Sequence, residues 1–114
     1  MTKSEVLTFV QSIKPHSFES DVMLRWLDEL EQKIATELHD RFARAEQFEN
    51  LTAEQLSVPS PYDRVYWTYL VSMIDFTAGN AEAFALSDSV FREAYAEYAR
   101  ALQRSSSRRR RSSL

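Results

Sequence analysis

Cysteine is missing from this chain of 114 residues, so a disulfide framework, a zinc–cysteine site and a thiol nucleophile are excluded. Glycine occurs once and proline three times, which argues against a turn-rich β fold and favours helices. No run of about 18 to 20 apolar residues is present, so we expect no membrane-spanning segment. The first residues lack the apolar stretch of a signal peptide, and we therefore do not expect secretion.

Charge is unevenly distributed along the chain. The net charge is −3, from 14 basic and 17 acidic residues, and four of the basic residues are the run Arg108 to Arg111. Without residues 105–114, ten basic residues stand against 17 acidic ones, a net charge of −7. This division predicts one helical domain over residues 1–104 and a basic, Ser/Arg-rich tail over residues 105–114. Because the tail is of low complexity, we expect it to be extended and disordered in isolation.

The hydrophobic pattern predicts an all-α fold, a small bundle of about four helices. A capping box over residues 2–5 starts the first helix, and Pro15 ends it. Ser17 or Ser20 is expected to cap a second helix, whose apolar residues are spaced three and four apart at Leu24, Leu27, Leu30, Ile34 and Leu38. A fourth helix begins at Asn80 and is expected to end at Ser105 to Ser107. The segment from His39 to Val58 has a weak pattern. Its first part, residues 41–48, could prolong the second helix or begin a loosely packed arm, and a reorienting loop or a short strand would also fit the segment.

The third helix, in the middle of the chain, is apolar or aromatic on almost every side. Ser60 is expected to cap it, Pro61 to be its first residue, Asp63 to complete a capping box, and Gly79 to end it. A helix that is apolar all round has to be enclosed by its own chain or by another subunit. The residues predicted to form the core or a subunit interface are Tyr62, Tyr66, Trp67, Tyr69, Leu70, Met73 and Phe76.

Catalytic chemistry is poorly represented in the sequence. His16 and His39 have no second ligand at metal-binding spacing, and no glycine-rich loop is available for a phosphate group. Asp75 lies inside the apolar helix, where a buried carboxylate needs a partner, and we expect a structural contact to an arginine or to a helix end. We therefore predict no catalytic residue, no metal, no cofactor and no enzymatic activity.

The arginine run allows three interpretations. It can be a solvated tail, it can contact nucleic acid through phosphate groups, or it can dock onto an acidic groove of another protein. The sequence alone leaves these alternatives open. The residues assigned to this partner-contacting tail are Arg104, Arg108, Arg109, Arg110, Arg111 and Leu114.

The central segment resembles the head-to-tail connector (adaptor) proteins of tailed phages and prophages. The resemblance is carried by the Pro-Tyr-Asp step at residues 61–63, by Met-Ile-Asp-Phe at residues 73–76 and by the glycine that precedes the last helix. The segment Leu24 to Ile34 resembles the family as well, and the likeness covers about residues 2–102. The run Arg108 to Arg111 is not a general feature of this family.

The resemblance implies a structural virion protein that forms a homo-oligomeric ring, usually of twelve copies, beneath the portal protein. Such a ring extends the DNA channel and bridges to a head-closure or tail-terminator protein, with the C-terminal arm engaging the portal and possible nonspecific contact with channel DNA. The protein would be made in the host cytoplasm and located in the neck of the virion, without membrane contact. The alternative is a small helical nucleic-acid-binding or regulatory module that uses its arginine tail.

Overall fold

The fold consists of helices and connecting segments. The computed structural model describes residues 1–43, 48 and 50–112, with side chains up to residue 109. No strand occurs in these residues, and the predicted all-α class is confirmed. The helices are α1 (Lys3–Ile13), α2 (Ser20–Ile34), α3 (Asp40–Phe42), α4 (Arg64–Thr77) and α5 (Ala81–Ser112), with a π-helical turn (Ala35–His39) that joins α2 to α3.

Helix α1 begins and ends where the sequence predicts. The Thr2 hydroxyl accepts a hydrogen bond from the Glu5 amide at 3.2 Å, and the Glu5 carboxylate accepts one from the Thr2 amide at 2.9 Å. This reciprocal pair satisfies two amide groups that the first helical turn leaves without partners. The helix stops at Ile13, two residues before Pro15.

The helical path of the second helix continues beyond His39. After α2 the π-helical turn and α3 carry the chain on to Phe42, which is one of the two courses that the sequence left open for this segment. Residues 50–63 then follow an irregular path and contain no strand. Their one ladder-like contact is an isolated antiparallel bridge between Thr2 and Gln55, beside which the Lys3 amide donates to the Glu54 carbonyl at 3.0 Å.

The predicted start of the central helix is wrong, whereas its predicted end is confirmed. Helix α4 begins at Arg64, and no side chain caps it. The Ser60–Pro61 bond is cis and the Tyr62 amide donates to the Pro59 carbonyl at 2.9 Å, so these residues form a turn before the helix. At the other end Gly79 has φ of +74°, the left-handed conformation that favours glycine after a helix.

Helix α4 is the centre of the bundle. It pairs with α5 as an antiparallel hairpin and also contacts α1 and α2. Its fully buried residues join apolar side chains from every other long helix and from the segment before it. The buried apolar side chains of this core are Val6, Val10, Met23, Trp26, Leu27, Leu30, Ile34, Leu38, Leu56, Val58, Val65, Tyr66, Leu70, Ile74, Phe91, Ala94 and Tyr98.

Helix α5 extends past the predicted boundary of the tail. Asn80 caps its start, with its side-chain oxygen accepting from the Ala83 amide at 3.0 Å. The sequence predicts an end at Ser105 to Ser107, but the helix continues to Ser112. Serine is only mildly unfavourable in a helix, arginine is favourable, and this segment holds no glycine or proline to stop it. The extended and disordered character expected of the tail over residues 105–114 stays a prediction.

Candidate functional site

A buried hydrogen-bond network gives Tyr66 a structural role. Tyr66 is fully buried, its hydroxyl donates to the Glu31 carboxylate at 2.5 Å, and it accepts from the Val58 amide at 2.8 Å. The same carboxylate accepts from the Ser57 amide at 3.0 Å and from the Ser57 hydroxyl at 2.9 Å. Burial and the neighbouring Glu31 charge raise the pKa of Tyr66. The network fastens the segment before α4 to α2 and α4.

The seven residues assigned to core or interface divide by exposure. Tyr66 and Leu70 are fully buried within the chain, so they belong to its own core. Phe76 is 63% exposed. The half-buried residues, which pack against the core and also reach the surface, are Tyr62, Trp67, Tyr69 and Met73.

The half-buried aromatic rings face other helices of the same chain. Trp67 meets Phe9 of α1 edge-to-face, with ring centres 5.2 Å apart. Tyr69 meets Phe91 of α5 at 5.1 Å. Such offset and edge contacts are favourable arrangements for aromatic pairs. Most of the apolar surface of α4 is therefore covered by this chain itself.

A patch of apolar surface remains exposed where α4 and α5 meet. Leu86 is 70% exposed and Val90 is 44% exposed, both on α5. They border a groove of about 340 Å³ whose other wall includes Trp67 and Val71 of α4. Phe76 lies at the same end of the hairpin, with its ring 5.4 Å from that of Phe84. We call these exposed residues, Phe76, Leu86 and Val90, the hairpin patch.

The groove contains a buried charge. Asp75 is 3% exposed and forms an ion pair with the Lys14 ammonium group, and its second oxygen accepts from the Ser87 hydroxyl at 2.8 Å. The expected structural contact is confirmed, but the partner is a lysine at the end of α1. Three elements are joined here, because α1, α4 and α5 each supply one member.

His39 is enclosed by aromatic side chains. Its Nε2 lies 2.8 Å from the Tyr98 hydroxyl, and its ring stacks on Phe48 at 4.3 Å. Burial lowers the pKa of His39, because the protonated form would lose hydration there. Within the described residues, no three His, Cys, Asp or Glu side chains cluster as a metal site would require.

The basic residues of α5 form an exposed row. Arg100, Arg104 and Arg108 follow at intervals of four residues on one side of the helix and line a shallow groove with Gln103 and Ser107. Successive members of such a row are about 6 Å apart along the axis. Arg100 lies outside the residues predicted to contact a partner, because the sequence places it inside the last helix and before the tail.

The remaining arginines of the tail have different surroundings. Arg109 is half-buried, donates to the Phe42 carbonyl oxygen and donates to the Ser105 hydroxyl at 3.1 Å, so its guanidinium is engaged within the chain. The backbone of Arg110 and Arg111 is helical. Their side chains, and the whole of Leu114, lie outside the described residues.

In the part of the chain that the structure describes, no helix is both long and apolar enough to cross a membrane. No protein-family model, curated protein sequence or solved structure matches this chain.

Proposed function

We propose that this protein is a structural assembly protein of the head-to-tail adaptor class. In this proposal several copies form a ring beneath a portal, extend the DNA channel and offer a platform to a head-closure or tail-terminator protein. The protein then acts in the neck of the virion and has no catalytic role. The observation that carries the proposal is the hairpin patch, which stays exposed although the rest of the aromatic helix is enclosed.

The hairpin patch supports assembly because of its composition and position. Phe76, Leu86 and Val90 are 63%, 70% and 44% exposed on the hairpin of α4 and α5, and the last two border a groove. Exposed large apolar side chains beside a groove are typical of contact sites between proteins. In the proposed ring, a neighbouring copy covers the patch. The sequence resemblance to connector proteins, which covers most of the chain, supplies the class of assembly.

The exposed arginine row supports the second part of the proposal, attachment to the portal. Arg104 and Arg108 present guanidinium groups that suit carboxylates in an acidic groove. A ring repeats this contact in every copy, so that individually weak contacts add up through multivalency. We favour a portal groove over channel DNA, because a grip on the genome would hinder its passage.

The direct test mixes the purified chain with the portal protein encoded in the same genome and measures the assembly by native mass spectrometry. We expect the chain to assemble on the portal in several copies. A chain that remains monomeric and ignores the portal would contradict the proposal.

A matched pair of variants separates assembly from folding. Leu86→Lys places a charge in the hairpin patch and should abolish ring formation, since a buried charge at an interface is costly. Leu51→Lys introduces the same change at a residue that is 40% exposed elsewhere on the chain, and it should leave ring formation unaffected. Equal behaviour of the two variants would remove the hairpin patch from the proposal.

A second candidate function rests on the same arginine row. A small helical module could grip nucleic acid through phosphate contacts, each of which would steepen the dependence of affinity on salt. A gel-shift measurement with the full chain and with a variant that carries Arg100→Ala, Arg104→Ala and Arg108→Ala decides this candidate. Binding that disappears in the variant favours it, and binding that is absent or unchanged removes it.

A further inference from the structure

The exposed surface of α5 beside α4 carries one continuous stripe. At about 100° per residue, six of its positions fall within an arc of about 80°, to one side of the buried face that packs onto α4. Five of the six side chains are exposed and Glu97 is half-buried. In chain order these positions, which we call the outer stripe, are Leu86, Val90, Glu93, Glu97, Arg100 and Arg104.

Charge is ordered along the outer stripe. Two apolar residues come first, the two carboxylates follow, and the two guanidinium groups come last. Glu97 already pairs with Arg64 of α4 at 2.8 Å. Neither Glu93 nor Arg104 forms an ion pair with another side chain in the described part of the chain. The acidic and basic halves of the stripe are therefore both presented to the outside.

We propose that two copies of this chain pair through their outer stripes with the α5 helices antiparallel. In the register centred between Tyr98 and Ala99, Glu93 of each copy lies opposite Arg104 of the other, and Glu97 lies opposite Arg100. A twofold axis repeats each contact, so one self-complementary surface supplies four oppositely charged pairs. The inference goes beyond the proposed function, because it concerns the chain without a portal and uses Leu86, Val90 and Arg104 for a pair of copies, not for the ring or the portal contact.

The order of the charges selects this partner and this direction. A parallel pair would place carboxylate beside carboxylate and guanidinium beside guanidinium, which is unfavourable. A polyanion would match the arginines, but it would be repelled by Glu93 and Glu97 on the same stripe. A second copy in the antiparallel direction places opposite charges against both the acidic and the basic half of the outer stripe. Because the pairs lie at the surface, the association is weak and sensitive to salt.

The test is charge reversal followed by rescue. Sedimentation velocity at about 0.1 M salt should give a dimer, and at about 1 M, where the screening length falls from about 10 to 3 Å, a monomer. Glu93→Arg and Arg104→Glu each place like charges opposite one another, so each variant should be a monomer at the lower salt concentration. The double variant restores both pairs with opposite sign, and it should dimerise again. Glu19→Arg, the same change at an exposed residue before α2, should leave the dimer intact.

Three results would overturn the proposal. The wild-type chain could be monomeric at low salt, the double variant could remain monomeric, or a larger assembly could form that neither salt nor the single reversals affect. Capture of duplex DNA by a monomeric wild-type chain would assign the arginines to nucleic acid instead. A negative portal experiment does not alter these readings, since no portal is present. Far-ultraviolet circular dichroism verifies that each variant keeps its helices.

Discussion

Helix α4 and the last part of α5 use their side chains in opposite ways. In α4 the large side chains are mostly enclosed by the chain itself, and the polar atoms of Tyr66 and Asp75 are matched by hydrogen bonds or an ion pair. Beyond Tyr98, by contrast, α5 presents Arg100, Arg104 and Arg108 to the outside.

The contrast separates stability from recognition. Burial of the α4 side chains contributes to folding, and changes there should be costly because the surroundings cannot rearrange freely. The exposed arginines contribute little to folding, since charges at the surface are screened and hydrated. The same exposure makes them available to a partner. The predictions below test this division, from the largest expected effect to the smallest.

The largest effect is expected when a charge enters the α4 core. Tyr66→Asp removes a fully buried ring and places a carboxylate beside Glu31, so we expect a loss of about 4 kcal/mol or more in the free energy of unfolding. Phe76→Asp makes a comparable change on the same helix at a residue that is 63% exposed, and should cost less than about 1 kcal/mol. Urea denaturation measures both, and similar losses would contradict the division.

A smaller effect is expected when only a hydroxyl is removed. Tyr66→Phe leaves the Val58 amide and the Glu31 carboxylate without one partner, and should cost about 1 to 3 kcal/mol. Tyr95→Phe removes an equally short bond, 2.5 Å to Glu37, at the surface, where water can replace it. The free energy of unfolding should therefore fall by less than about 1 kcal/mol in Tyr95→Phe. Thermal and urea unfolding of the two variants provide the comparison.

The ion pair in the groove should rank next. Asp75→Asn keeps the shape of the side chain but removes the charge that faces Lys14, and we expect a loss of about 1 to 2 kcal/mol because the lysine can partly rehydrate. Asp88→Asn breaks the exposed pair with Arg92 and should cost about 0.5 kcal/mol or less. Equal costs would mean that burial of Asp75 adds nothing.

The smallest effect is the dependence of stability on pH that comes from His39. The pKa of His39 is lowered in the folded state below its ordinary value of 6.5, so the unfolded chain binds the proton more readily. The contribution of His39 to the free energy of unfolding is therefore complete above about pH 6.5, and it is lost as the pH falls from there through the folded-state pKa. The loss is at most about 1.4 kcal/mol per pH unit. His39→Gln should remove this dependence. Identical pH profiles of stability for the wild type and the variant would refute the assignment.

Local signals predicted much of the fold. The capping box of α1, the stop at Gly79 and the apolar stripes of α2 and α5 are short-range patterns, and the structure agrees with them. The turn at Ser60–Pro61 escaped the prediction, because proline near the start of a helix suits either a first helical turn or a separate turn. The end of α5 was misplaced because a run of serines and arginines tolerates a helix without requiring one.

The candidate site was less accessible from the sequence. The partner of Asp75, Lys14, lies 61 residues earlier in the chain, and only the packing of α1 against α4 brings the two together. The network around Glu31 depends on packing as well, because only the folded chain brings Ser57 next to Glu31 of α2. The exposed fraction of each α4 side chain is visible only in the structure, because the sequence pattern does not distinguish Phe76 from the buried aromatic residues of this helix.

Hydrogen exchange of the intact chain, measured with and without its portal, tests the division between the two regions most directly. We expect added protection at the hairpin patch and in the last turns of α5, with no change in the buried amides of Val65 to Ile74. Added protection confined to those buried amides, or no added protection in α5, would contradict it.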